Sequence, residues 1–472
     1  MGLAFHVENF GCRAARADGE AVSARLRTAG NDVAQPANAD VVIVNTCSVT
    51  AEADREARAY IRRAHRINPG ARIVVTGCYA QRAPEELAGL PGVAAVVGNS
   101  HKALAPEIVV RMAGVVDQRV SESNGPAFVD VRSFIAGTAS GAAPGGVPIW
   151  ADDRFAHSFL EEAQLVPGTQ TRPNLKIQEG CGNRCTFCVI PQTRGNSRSL
   201  PAESVLKQVR GFAAAGGNEL VLSGINLGRW GRDLAGADRM SLAGLVRRIF
   251  DETNLARLRL SSIEPMDWDS DLIALMGDFG GTRLARHAHL PLQSGSDAVL
   301  RRMHRRYRPW HYSEKVRLLT EAAGPRLTLG ADVMVGFPGE SDCEFEETCA
   351  FIRELPFGYL HLFPFSARPG TRAWELHKEV PVTAEVVEER MAALRALASE
   401  KVRVHRMRFP GRVVEAITLN SAETIRSRSC TAALTENFRP LEIEGELESN
   451  VMVRVRVARI ASDSCLRGVV ES

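Results

Sequence analysis

The chain has 472 residues, 45% of them hydrophobic and 24% charged, with a formal net charge of +3; this excludes a disordered or fibrous protein and neither demands nor forbids a nucleic-acid partner. That length suits about three compact units with substantial cores. No apolar run approaches the roughly 18 residues of a membrane helix, MGLAFHVENF lacks a basic leader and a cleavage site, and the ten cysteines therefore read as metal-binding or catalytic thiolates of a cytoplasmic protein rather than as disulfides.

Residues 1 to about 115 alternate strand and helix signals. AFHVENF is followed by an amphipathic stretch to Gly30, then DVVIVNT, a helix from about Ala51 to Ile67, and RIVVTG. Repeated crossovers of this kind make a parallel sheet with helices on its faces. Residues from about 121 to 172 include SESNG and IAGTASGAAPGGVP, a composition that predicts a linker or mobile insertion. From Pro173 to about 400 the alternation resumes: NLKIQE, a helix near 202–215, NELVLSG, a helix near 241–252, RLRLSS, HAHLPLQ, a helix from Trp310, LTLGADVMVG, a helix around Cys343 to Leu355, and YLHLFPFS. So many β/α units predict a closed or partly closed barrel with its site at the carboxyl ends of the strands. The remainder, with VVEAITL, RPLEIEG and MVRVRVARI, predicts a small all-β unit.

The strongest chemical signal is CGNRCTFC, directly after NLKIQE, which sets Cys181, Cys185 and Cys188 in a C-x3-C-x2-C loop. Three thiolates this close wrap one metal centre, and a [4Fe-4S] cluster held by only three cysteines keeps one iron open to substrate. A structural zinc site is the alternative, but it wants four ligands and no second CxxC or HxxxH lies nearby. Cys12, Cys47 and Cys78 follow the first three strands, 35 and 31 residues apart. A βαβ unit takes roughly 30 residues or more, so each cysteine holds the same place in successive units, at the sheet edge where such folds bind ligands. The alternative is that burial-tolerant cysteines merely end strands. Cys343, Cys349, Cys430 and Cys465 share no metal spacing and are assigned no role.

CGNRCTFC resembles the cluster loop of the radical S-adenosylmethionine (SAM) superfamily. NELVLSGINLGRWG, SSIEPMDW, HLPLQSGSDAVLRRM and DVMVGFPGE resemble, in matching order, segments of its methylthiotransferase branch. With the patterns above, the resemblance implies an α/β protein in four parts: a Rossmann-like methylthiotransferase domain (1–120), the linker (121–172), a partial β/α barrel (173–405) and a TRAM-like β domain (406–472). It implies two [4Fe-4S] clusters: the barrel cluster reduces SAM to a 5′-deoxyadenosyl radical, the N-terminal cluster carries sulfur, and a second SAM supplies the methyl group. Glu219, Asn226, Gln293 and Ser294 are implied SAM contacts at strand ends, whereas Gly336 and Gly339 read as turn formers. One departure is Ala15, where family members often carry Asn.

RRMHRRYR gathers Arg301, Arg302, Arg305, Arg306 and Arg308, with Tyr307 and Trp310 interleaved, as candidate phosphate and base contacts; a solvated helix face is the alternative. TENFRPLEIEG resembles a TRAM domain, but residues 411–472 hold eight Arg and no Lys against nine acidic residues, so RNA binding there rests on the resemblance, helped by Lys401, Arg403, Arg406 and Arg408. NTCSVTAEAD and GCYAQ most resemble the branch acting on threonylcarbamoyladenosine in transfer RNA. The other family substrates are isopentenyladenosine and an aspartate of ribosomal protein S12; an iron-sulfur scaffold or a zinc-dependent RNA-binding protein stands outside enzymes. Implied partners are a tRNA, an electron donor and a sulfur source, with no membrane and no oligomeric state fixed.

Overall fold

The computed structural model describes residues 2–114, 141–142, 146–155, 160, 165, 171–420, 430–461 and 465–471. The first unit is a seven-stranded sheet in the order β2-β1-β3-β4-β5-β7-β6, made of β1 (Ala4–Asn9), β2 (Asp32–Val33), β3 (Val41–Thr46), β4 (Arg72–Gly77), β5 (Val93–Gly98), β6 (Gly141–Ala142) and β7 (Pro148–Trp150). All neighbours are parallel except β6 and β7. Helices cover both faces, so β3 is buried along its whole length. Its alternation splits the core: Val42 and Val44 pack with Ala57 and Ile61 of the helix Ala51–Ile67, whereas Val41 and Ile43 pack with Leu26 and Ile108 on the other side.

The expected 121–172 linker needs one correction. Ile149 and Trp150 pair with Val96 and Val97 and extend the sheet, with Trp150 fully buried. Two apolar residues at the end of a Gly/Ala-rich passage gave too short a pattern to register as a strand. SESNG and most of IAGTASGAAPGGVP lie outside the described residues.

In the second unit, β8 (Asn174–Glu179), β9 (Arg198–Ser199), β10 (Glu219–Gly224) and β11 (Arg257–Leu260) form one sheet in the order β11-β10-β8-β9. β12 (His287–His289), β13 (Thr328–Val335) and β14 (Phe357–Pro364) form another. A parallel bridge between Leu258 and Leu284 links the two arcs, so six parallel strands curve into a barrel that stays open between β8 and β14. A continuous core from Leu175 to Leu394 fixes the strands, so the loops at their carboxyl ends start from a rigid frame.

The long helix Ala384–Arg406 leads into a closed five-stranded barrel, β15 (Val413–Thr418), β16 (Cys430–Thr435), β17 (Pro440–Glu444), β18 (Met452–Ile460) and β19 (Leu466–Val470), with Val414, Ile443, Val455 and Val457 at its core. Its β16–β17 turn inserts under the amino ends of the larger barrel: Asn437 Nδ2 donates to the Arg326 carbonyl (3.1 Å) and Arg439 Nη1 to the Gly358 carbonyl (3.3 Å). No described helix is long and apolar enough to cross a membrane.

Candidate metal centres

Cys12, Cys47 and Cys78 each stand just past the carboxyl end of β1, β3 and β4, and the parallel register brings those ends side by side. Two of the turns demand glycine. Gly11 (φ +100°) would place a Cβ 2.6 Å from Cys47 Sγ, and Gly77 (φ +99°) one 2.3 Å from the Thr46 carbonyl oxygen. The three thiols converge: Cys47 is pushed up to about 12 by burial and by the neighbouring Cys78 and Cys12. A cation shared among them would reverse that penalty, which is what a donor set of three thiols built for a metal requires.

The second set sits in the loop after β8. Cys188 is likewise pushed up to about 12 by burial, with Cys185 and Cys181 adding to it. A solvent-open cleft of about 360 Å³ lies over Cys181, Cys185, Cys188, Asn183 and Arg372. Each triad has an arginine donor of its own. Arg305 Nη1 lies 3.3 Å from Cys185 Sγ and pairs with Glu264 (3.2 Å), while Arg194 Nε lies 3.2 Å from Cys78 Sγ.

Arg194 comes from the helix Ile190–Arg194 that follows Cys188, so one side chain joins the barrel's cysteine loop to the N-terminal triad. It is fully buried, and its Nη1 donates to Asp18 Oδ2 (2.9 Å) and to Glu179. Lys102 and Lys176 complete the cluster against the same two carboxylates. Burial brings Lys102 down to about 8 despite both carboxylates, while Glu179, which burial alone would raise, is held well below the usual carboxylate range by Lys102, Lys176 and Arg194. A second tie locks the Cys47 loop: Arg368 donates to the Ser48 carbonyl (2.8 Å) and to Asp54 (2.7 Å). None of these residues carries a motif of its own, and the sequence reading singled out none of them.

The four expected SAM contacts divide. Asn226 Nδ2 lies 3.5 Å from Cys181 Sγ, and its Oδ1 has no partner among the described residues. Gln293, at φ +65°, also keeps a buried Oε1 unpaired. Ser294 is engaged instead with Thr348 Oγ1 (2.9 Å) and the Ser296 amide (3.1 Å). Glu219 is a correction: it opens β10, at the end of the barrel opposite the cysteines, and its buried carboxylate meets Arg259 (3.0 Å), Arg257 (3.5 Å) and Arg172 (3.8 Å).

The arginine cluster divides as well. Arg305 is buried against Cys185, and Tyr307 is fully buried with its hydroxyl donating to the Pro291 and Leu292 carbonyls. Arg302 is paired with Glu344 (2.7 Å), Arg301 and Arg308 with Asp297 (2.8 and 3.2 Å), and Arg306 with Asp267 (3.5 Å). Of the five arginines only Arg305 is buried, and Arg301 and Arg306 remain exposed despite their carboxylate partners, a division that spacing alone did not reveal. Trp310 stays exposed. Lys401 is tied to the Leu355 carbonyl (2.8 Å), Arg403 to Glu400 (2.7 Å) and Arg408 to the Pro325 carbonyl (3.4 Å).

One nitrogen and oxygen donor group was not foreseen. His289, Asp332 and His361, on β12, β13 and β14, bring their ligand atoms within 4.8 Å of one another on the barrel's inner wall. Burial would raise Asp332, but His289 Nε2 at 3.3 Å and His361 Nδ1 at 3.5 Å hold it below the usual carboxylate range.

Residues 4–98 match an uncharacterized protein family, UPF0004, and residues 175–352 match the radical SAM superfamily. The threonylcarbamoyladenosine tRNA methylthiotransferase MtaB of Bacillus subtilis is 34% identical, with 94% of this chain and 90% of the relative covered. That of Aquifex aeolicus is 33% identical over 97% and 100%. A tRNA-2-methylthio-N(6)-dimethylallyladenosine synthase of Erythrobacter litoralis is 33% identical over 83% and 81%. Among solved structures, the radical SAM methyltransferase TsrM of Kitasatospora setae aligns with a TM-score of 0.52 at 16% identity, over 77% of this chain and 73% of that one, a likeness of fold alone. Two cysteine triads in this order, on these two units, and relatives aligned along nearly the whole length place the chain in one group: it belongs to the MtaB-like radical SAM methylthiotransferase family.

Proposed function

We propose that the protein adds a methylthio group to C2 of N6-threonylcarbamoyladenosine next to the anticodon of tRNA. The observation that carries this reading is the pair of three-thiol sets on facing loops, joined by Arg194. Each donor set fits a [4Fe-4S] cluster with one iron left for a further ligand, and the unpaired Asn226 Oδ1 and Gln293 Oε1 fit the polar groups of SAM. When bound, the barrel cluster and SAM supply hydrogen abstraction from an unactivated C–H, and the second cluster supplies sulfur.

The chain's own residues hold and shield this chemistry. Arg305 and Asn226 direct N–H groups at the thiols of Cys185 and Cys181, and Arg194 and Asn99 do so at Cys78. The Asp18, Lys102, Lys176, Glu179 and Arg194 cluster fixes the two loops against each other, so substrate meets both centres without either moving. A reductant, a sulfur source and tRNA complete the reaction. Mass spectrometry of tRNA nucleosides from a deletion strain tests the substrate: the methylthio group should vanish from threonylcarbamoyladenosine while the parent nucleoside stays. Loss of the methylthio group from isopentenyladenosine instead would move the assignment to that substrate.

A further inference from the structure

The inserted β16–β17 turn carries Phe438 at φ +63°, a conformation that costs a bulky residue energy and persists only where the surroundings impose it. It sets the ring 4.6 Å from His287 and 5.7 Å from Tyr359, forming an aromatic floor inside the open barrel. Three guanidiniums gather on that floor. Arg13 and Arg259 lie 5.7 and 5.3 Å from the Phe438 centroid, and Arg439 lies 5.7 Å from the centroid of Tyr359.

Their charge is only partly matched. Arg259 shares Glu219 with Arg257 and Arg172, and neither Arg13 nor Arg439 has a carboxylate partner among the described residues. Buried Arg259 Nη1 and Arg439 Nε have no hydrogen-bond acceptor there either. Buried cationic donors without acceptors are expensive unless an anion arrives to meet them. Arg13 follows Cys12 directly, so this positive floor begins at the loop that holds the N-terminal triad.

We propose that Arg13, Arg259 and Arg439 form an anion subsite that takes the carboxylate of the threonyl group carried on N6, so that the enzyme selects this base over adenosines with uncharged N6 groups. The proposal rests on the substrate reading above. Positions 2 and 6 of adenine flank the same ring nitrogen, so a base presented to the N-terminal triad through C2 carries its N6 substituent only a few bonds away. Phe438 and Tyr359 supply the stacking surface, and the arginines supply charge-assisted hydrogen bonds.

The test uses reconstituted holoenzyme and anticodon stem-loops identical except at one nucleoside: threonylcarbamoyladenosine, its methyl ester, or isopentenyladenosine. The native protein should bind the free acid roughly 10- to 100-fold more tightly than the ester, the range of a hydrogen bond to a charged group. Arg13→Gln should lower that ratio severalfold without changing affinity for the ester, and Arg13→Lys should keep more of it. Equal weakening of acid and ester would mean that Arg13 meets a backbone phosphate, and an unchanged ratio in Arg13→Gln would mean that it meets no ligand; either overturns the proposal. If the native protein itself preferred the isopentenyl stem-loop, the substrate reading would fall first. Iron content is measured in parallel; should Arg13→Gln lose iron, Arg439→Gln, away from the cysteine loop, carries the same expectation.

Discussion

Replacing Arg194 with Gln removes one buried charge from the contact between the two triads while leaving Asp18 and Glu179 balanced by Lys102 and Lys176. The fold is therefore expected to survive, and the change falls on Cys78, whose sulfur loses the N–H donor at 3.2 Å. A hydrogen bond to a charged group is worth about 1.5–3 kcal/mol, and a one-electron couple shifts about 59 mV for each 1.36 kcal/mol. Only part of that energy distinguishes the two oxidation states, so the low end, about 65 mV, is the expected shift. Its sign is fixed: a donor to the sulfur favours the more negative, reduced cluster, so its loss lowers the midpoint potential. The assay is a redox titration followed by electron paramagnetic resonance in a background with Cys181, Cys185 and Cys188 changed to Ala, which isolates the N-terminal centre. An unchanged midpoint at full iron content would refute the argument that Arg194 tunes this centre.

Arg305→Ala should leave the slope of log tRNA affinity against log salt unaltered while lowering iron retention or SAM cleavage at the barrel triad, because the side chain faces Cys185 and Glu264 rather than solvent; a flattened slope in binding measurements would restore it to the RNA face. Glu219→Ala should cost about 3–5 kcal/mol of stability, since fully buried Arg259 loses its carboxylate, whereas Arg257 keeps Glu415 at 2.9 Å. Thermal unfolding should record that loss with the KM for SAM unchanged in whatever enzyme remains folded; a raised KM would return Glu219 to the cofactor.

Cysteine spacing carried most of what could be read from the chain. A repeat of about one βαβ unit between Cys12, Cys47 and Cys78 translates directly into neighbouring strand ends, because parallel crossovers leave the register little freedom. What escaped was long-range. Arg194 and Asp18 are 176 residues apart and Arg368 and Asp54 314 apart, so nothing in local periodicity pairs them. Glu219 was misplaced because an acidic residue beside a strand reads alike at either end, and only the three-dimensional position of Arg257 and Arg259 decides which. RRMHRRYR was only partly legible for a related reason: composition counts charges, whereas burial decides that Arg305 turns inward to Glu264 while Arg301 and Arg306 still meet solvent.

The central claim is that two triads of the same ligand type do different work, and parallel assays on anaerobically reconstituted triad variants test it most directly. Changing Cys181, Cys185 or Cys188 to Ala should abolish reductive cleavage of SAM, because the open iron that binds it is lost or distorted. Changing Cys12, Cys47 or Cys78 to Ala should leave 5′-deoxyadenosine formation in place while no methylthiolated nucleoside accumulates. Normal yields of methylthiolated nucleoside from the N-terminal variants would contradict the account and reduce those cysteines to residues that close strands.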